Sequence, residues 1–176
     1  MQDGVVRRMI LSVRSERKAK RINIIKNITV FMVTFMLIMI FFYFIRFPNV
    51  DGESMNPTYD DKDILVTLHT NNVSRNDVIV LWSDFLQEYI VKRVVGVAGD
   101  HIEIKDEQLY RNGYPIYEGY VLEQSWAGLN NSLDIIIPED CVFVLGDNRN
   151  NSADSRVLGC INTDDIFGKV LFKLGK

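Results

Sequence analysis

Cysteine and histidine are scarce in this chain: two of each among 176 residues. Cys141 and Cys160 form no Cys-x-x-Cys spacing and no cluster with histidine, which excludes a finger- or ribbon-type zinc site. Two cysteines set no disulfide framework, although outside a reducing compartment they could pair. His69 lies in LVTLHTN and His101 in AGDHIEIKD. Both settings are polar and predict exposed, idle imidazoles. The Asp-containing stretch DNRNNSAD, 147–154, lacks the glycine and closing glutamate of an EF-hand loop. The expectation is therefore no metal and no cofactor. There is no repeat and no low-complexity segment.

Charge is absent from one long apolar stretch. Ile28 to Ile45 is an uncharged run of 18 residues. As a helix it is about 27 Å long, enough to cross the hydrocarbon core of a bilayer. Phe41, Phe42, Tyr43, Phe44 and Phe47 crowd its C-terminal end, where aromatic rings favour the membrane interface. The run is long for the apolar core of a cleavable signal peptide. The FIRFPNVDG that follows is too bulky for a cleavage site.

The net charge of −3 hides an asymmetry. Residues 1–27 carry +6 and the remainder −9. Basic residues beside a span stay on the cytoplasmic side. This predicts an N-terminus inside and a C-terminal domain outside, in a single-pass cell-membrane protein. A basic arm can also bind nucleic acid, but beside a span, attraction to anionic lipid is the simpler account. The expected partners thus include the bilayer and exclude nucleic acid. The predicted organisation is a basic tail at 1–27, a transmembrane helix at 28–45 and an extracytoplasmic domain at 46–176, long enough for one real core.

That domain reads as mostly β. Asp63–Leu68 is a short apolar strand. Val78–Trp82 and Tyr89–Val97 are β-branched and aromatic, and flank SDFLQE as a hairpin. His101–Lys105 alternates, with Ile102 and Ile104 on one face. Gln108–Arg111 and Tyr114–Tyr117 flank Asn112-Gly113, the favoured type I′ dipeptide. Leu133–Ile137, Cys141–Leu145 and Asp165–Phe172 complete the strands. A helical turn is expected only around Ser152–Arg156, and an extended loop over Tyr117–Asn131.

Three segments carry polar chemistry. In VDGESMNPTY, Gly52 supplies backbone freedom and Pro57 rigidity on either side of Ser54. A serine on such a turn can expose its Oγ while its own N–H serves as an oxyanion donor. Met55 would pack inward and anchor the turn. By itself Ser54 reads equally as a surface-loop serine. In YIVKRVVGV, alternation puts Lys92 on the face of Ile90 and Val94. An amine on an apolar face loses hydration, its pKa falls, and it can take a proton from a hydroxyl. By itself it reads equally as an edge lysine reaching water. In GDNRNNSADSR, Asp147, Arg149, Asp154 and Arg156 can form charge-assisted pairs, and Ser152 can bond a nearby amine. By itself this segment is a solvated turn.

VDGESMNPTY, RNDVIVLW, KRVVGVAGD and GDNRNNSADSR follow one another in this order after an N-terminal span. Together they resemble the type I signal peptidases, membrane-bound serine proteases that remove signal peptides from exported preproteins. The resemblance covers about residues 28–176. It implies an antiparallel β catalytic domain with Ser54 as nucleophile and Lys92 as general base. Ser152 would orient the lysine amine, Asp154 and Arg156 would pair beneath the site, and Asp147 would be the acidic residue of the same segment. It also implies cleavage after small residues at −1 and −3 of secretory preproteins. Some members carry a serine two residues before the nucleophile whose hydroxyl completes the oxyanion hole. Here that position is Gly52, which leaves the second donor unassigned beside the Ser54 backbone. Gly52, the single span and the short chain resemble the Gram-positive branch. Two other readings are a self-cleaving Ser–Lys repressor-type protease, which is soluble, and an inactive membrane-anchored interaction domain.

Overall fold

The computed structural model describes residues 2–121 and 133–175, with the backbone alone for 2–13, 15, 16 and 19. The chain divides into two units, Met1–Tyr43 and Phe44–Lys176.

The first unit belongs to one helix, α1, Gln2–Phe44. No proline interrupts it. Within it, Lys20–Phe44 is long and apolar enough to cross a membrane. Its two threonine hydroxyls turn back on the helix: Thr29 Oγ1 donates to Ile25 O at 3.0 Å and Thr34 Oγ1 to Val30 O at 2.9 Å. The expected tail and span are thus one continuous helix. It stops where Ile45 leaves to pair with Leu68.

The second unit holds two antiparallel sheets. Its strands are β1 Ile45–Arg46, β2 Ile64–Leu68, β3 Val78–Ser83, β4 Glu88–Val97, β5 His101–Lys105, β6 Gln108–Arg111, β7 Tyr114–Pro115, β8 Leu133–Ile136, β9 Cys141–Leu145, β10 Ile161–Asn162 and β11 Ile166–Gly175. The larger sheet runs β1-β2-β11-β3-β4-β9-β10 and the smaller β7-β6-β5-β8. The mostly β antiparallel reading is correct. β5, β6 and β9 have the expected bounds, and Asn112 and Gly113 both take positive φ, 55° and 80°, as a type I′ turn requires.

Several boundaries differ. Asp63 lies outside β2, and β7 stops at Pro115, which cannot donate to a ladder. Asp165 sits in a 3-10 turn, Thr163–Asp165, and β11 continues to Gly175. The helical turn falls later than expected, at α2 Ser155–Leu158, with Asp154 as its N-cap. β1 and β10 were not anticipated. Of the loop expected over Tyr117–Asn131, residues 122–132 lie outside those described.

Among the described residues, three apolar clusters make the core. One gathers Ile79, Leu81, Val94 and Val144; a second Val95, Ile102, Phe143 and Leu145; a third Val50, Met55, Leu65 and Val80. Each such burial contributes about 1.5–3 kcal/mol. β4 feeds all three through Val94, Val95 and Val91, and is buried on both faces from Ile90 to Gly96. A polar residue in that stretch has no easy route to water.

Candidate active site

Lys92 occupies that stretch and is 3% exposed. Its Nζ lies 2.8 Å from Ser54 Oγ and donates to Val91 O at 2.9 Å. Burial lowers the amine from its ordinary 10.5 to about 8; the carboxylates of Asp154 and Glu88 pull the other way. A minority of Lys92, roughly a tenth to a fifth, is therefore neutral near physiological pH, far more than for a solvated lysine. A neutral amine offers a lone pair to the Ser54 hydroxyl.

Local sequence sets the serine in place. Met55, fully buried, anchors the turn as expected. Gly52 adopts φ 84°, and its N–H donates to Asp61 Oδ1 at 3.0 Å. Position 52 thus has neither a side-chain donor nor an unengaged amide. The Asn148 N–H donates to Ser54 O at 3.0 Å, and Asn148 Nδ2 to Glu53 O at 3.1 Å. The Ser54 N–H makes no hydrogen bond among the described residues.

The 146–156 segment converges on the same place. Asp154 accepts from the Gly146 N–H at 3.0 Å and holds Arg156 through two bonds, at 2.7 and 2.8 Å. Asp147 grips Arg93 at 2.8 and 2.6 Å and accepts from Thr58 Oγ1 at 2.5 Å. Gly146 is required by space: a Cβ there would meet Ser152 Oγ, and Ser54 O at 2.6 Å. Ser152 therefore sits at the site, but its Oγ is buried without a hydrogen-bond partner among the described residues, and the Lys92 amine bonds Ser54 and Val91 instead.

Ser54 and Lys92 open into a cleft of about 470 Å³. Residues 51–54 and 88–92 line it together with Leu86, Asn151 and Ala153. β4 pairs with β3 throughout 88–93, but with β9 only from Arg93 onward. The other edge of 88–92 has no strand partner among the described residues. An unpaired strand edge along a cleft is a template for an extended peptide.

The histidines differ from expectation. Both are half-buried and bonded. His69 Nδ1 lies 3.1 Å from Phe167 O, and His101 Nε2 2.6 Å from Asp134 Oδ1. His101, Glu103 and Asp134 bring ligand-type atoms within 4.8 Å of one another. The Lys105 ammonium already engages Glu103 at 3.1 Å. Cys141 and Cys160 are free thiols packed against the second cluster; burial, then the neighbouring Cys141, pushes the Cys160 thiol up.

Sequence reasoning missed Thr58, Glu118, Tyr120 and Asn148. Only Asn148 carried a signal, its place in the Gly-Asp-Asn triplet of the polar segment.

A β domain with a hydroxyl held against a desolvated amine, in a chain with a membrane-length helix, defines a membrane-anchored hydrolase class. The family model described as signal peptidase, peptidase S26, matches residues 21–174. Signal peptidase I P of Bacillus subtilis subsp. natto is 34% identical over 166 residues, covering 87% of this chain and 90% of that protein. Signal peptidase I U of Bacillus subtilis strain 168 is 33% identical, covering 86% and 87%. Signal peptidase IB of Staphylococcus aureus strain COL is 35% identical, covering 80% and 84%. The crystal structure of a signal peptidase I from Enterococcus faecalis V583 matches at 30% identity and TM-score 0.49, covering 57% of this chain and 97% of that one. The chain belongs to the signal peptidase family, peptidase S26, and within it to the type I signal peptidases, which are serine endopeptidases. With its apolar helix it is a membrane-anchored protein.

Proposed function

We propose that Ser54 and Lys92 are the nucleophile and general base with which this protein removes signal peptides from secretory preproteins. The observation that carries this is the 2.8 Å approach of a buried Lys92 Nζ to Ser54 Oγ at the cleft. Neutral Lys92 takes the hydroxyl proton as Ser54 Oγ attacks the scissile carbonyl. The oxyanion that forms is met by the Ser54 N–H. Protonated Lys92 then gives its proton to the departing amine, and the C–N bond breaks. The same lysine deprotonates the water that releases the acyl-enzyme.

The substrate lies extended along the unpaired 88–92 edge, with small residues at −1 and −3 facing the cleft. Asp147, Asp154 and Arg156 support the loop that meets the Ser54 turn, and Ser152 bonds the Lys92 amine when the serine is acylated. The +6 arm at 1–27 stays cytoplasmic, the span crosses the cell membrane, and residues 46–176 act outside. A preprotein held in the same bilayer meets the enzyme by a two-dimensional search.

The test is incubation of the purified protein with a secretory preprotein carrying alanine at −1 and −3, followed by N-terminal sequencing. A new N-terminus directly after the −1 residue is expected, with none from Ser54→Ala or Lys92→Ala. Full cleavage by either folded variant would overturn the dyad.

A further inference from the structure

Behind the dyad lies a buried cluster that the reaction itself does not use. Arg149 and Glu118 form a bidentate pair, Nη1 to Oε2 at 2.6 Å and Nη2 to Oε1 at 2.7 Å, with side chains 1% and 7% exposed. Tyr120 donates its hydroxyl to the same Glu118 Oε1 at 2.7 Å. Its ring lies 4.0 Å from the Arg93 guanidinium, the group that grips Asp147. Tyr120 thus joins two buried ion pairs. Burial, then the neighbouring carboxylate of Glu118, raises the Tyr120 phenol, so it remains a neutral donor.

We propose that Glu118 and Tyr120 are positioning residues, which through Arg149 hold the Gly146 peptide and so the turn that carries Ser54. The inference rests on the reading of Ser54 and Lys92 as the dyad.

The path is short. Arg149 grips Glu118 with its two terminal nitrogens, and its Nε donates to Gly146 O at 3.0 Å. The Gly146 N–H is held by Asp154 at 3.0 Å. Gly146 is therefore fixed on both of its polar atoms. It is also the residue packed so closely on Ser152 and Ser54 O that no Cβ fits. Two residues on, Asn148 bonds Ser54 O and Glu53 O. If Arg149 lets go of Gly146, the loop loses the contact that sets the height of the Ser54 turn over Lys92. A misplacement of about 1 Å at a reacting pair can cost roughly a hundredfold in rate.

Glu118 acts on this path from outside the 146–156 loop. The guanidinium fork is planar, so a carboxylate on its terminal nitrogens fixes the direction of Nε as well. Tyr120 fixes that carboxylate in turn. Toward the dyad, Arg149 reaches Gly146 O directly, and Tyr120 reaches Asp147 through Arg93. The groups that set the Lys92 amine are Ser54, Asp154, Glu88, Arg156 and Asp147. Glu118 and Tyr120 touch none of them except through Arg149 and Arg93, so their effect on Lys92 reports loop position.

The experiment uses the full chain in detergent micelles and two mild variants, Tyr120→Phe and Glu118→Gln. Steady-state kinetics are read on a peptide that spans a small-residue cleavage site. Melting temperature and the titration of the Lys92 amine by NMR are measured alongside. Each variant should lower kcat by about tenfold, with KM held within about twofold. The Lys92 midpoint should move up, because a loosened loop lets water reach the amine. Glu118→Asp, which keeps the charge, should recover part of kcat.

An unchanged kcat and an unchanged Lys92 midpoint in folded Tyr120→Phe would overturn the proposal. So would a loss of rate matched by the fraction of protein unfolded, since that is a structural role. Should Glu118→Gln not fold, Tyr120→Phe, which keeps both ion pairs, decides. An inert parent protein would instead sink the dyad reading, and the Lys92 titration still decides the positioning role.

Discussion

Lys92 Nζ and Ser54 Oγ stand 2.8 Å apart, although neither residue is near the other in sequence. The approach puts a proton donor and a proton acceptor in line, and the burial of Lys92 sets which is which. Below about pH 8 the amine is charged and is itself the donor; above it the hydroxyl donates to the lone pair. kcat/KM should therefore rise with pH along a limb whose midpoint lies near 8. A pH–rate profile on a peptide substrate checks this. A limb centred near 10.5 would mean a solvated lysine. Glu88, on the same strand, raises the amine, so Glu88→Gln should move the midpoint down.

Asp147 and Arg93 form a pair whose side chains are 0% and 11% exposed. A buried pair is a weak source of stability when intact but costly to break, because the survivor keeps an uncompensated charge. Asp147→Ala strands Arg93 in this way and should lower unfolding free energy by about 3–5 kcal/mol. Asp147→Asn retains an oxygen acceptor and should lose less. Thermal melting of the full chain measures both. Equal stability of Asp147→Ala and the parent would show that water reaches Arg93.

The parts legible in the sequence were those with a local signature. Alternation gave His101–Lys105 its bounds, and Asn112-Gly113 gave the turn that follows Gln108–Arg111. Two-residue strands such as Ile45–Arg46 and Ile161–Asn162 exist only because a partner strand is present, so no window of sequence contains them. At the site, Ser54 and Lys92 were legible because a polar residue interrupts an apolar or turn pattern. The long-range pairs were not. Arg93 meets Asp147 across 54 positions, and Arg149 meets Glu118 across 31. Ion pairs leave no periodicity, so a glutamate in an irregular stretch reads as solvent-facing. Glu118 is 6% exposed. The histidines failed in the opposite sense. Polar neighbours in sequence do not imply solvent in space, and β11 covers His69 through Phe167 O.

The burial that readies Lys92 for chemistry also costs stability. Unfolded, the amine titrates at its ordinary 10.5; folded, at about 8. Below pH 8 both states hold the proton, and the folded state bears the full cost of a buried charge. Between 8 and 10.5 only the unfolded state holds it, so stability rises with pH through that window. Above 10.5 the cost is gone. At about 1.4 kcal/mol for each pH unit, the penalty below pH 8 is about 3 kcal/mol. Lys92→Met keeps the length and apolar stem of the side chain and removes the charge. At pH 6–7 this variant should be inactive yet more stable than the parent, by about 1–3 kcal/mol once the lost bonds to Ser54 and Val91 are set against the gain. The advantage should shrink as pH rises toward 10.5. Paired thermal melts at pH 6.5 and pH 10 test this. A Lys92→Met protein that is less stable at pH 6.5 would show that the amine is carried at no cost, and so that it is hydrated rather than poised.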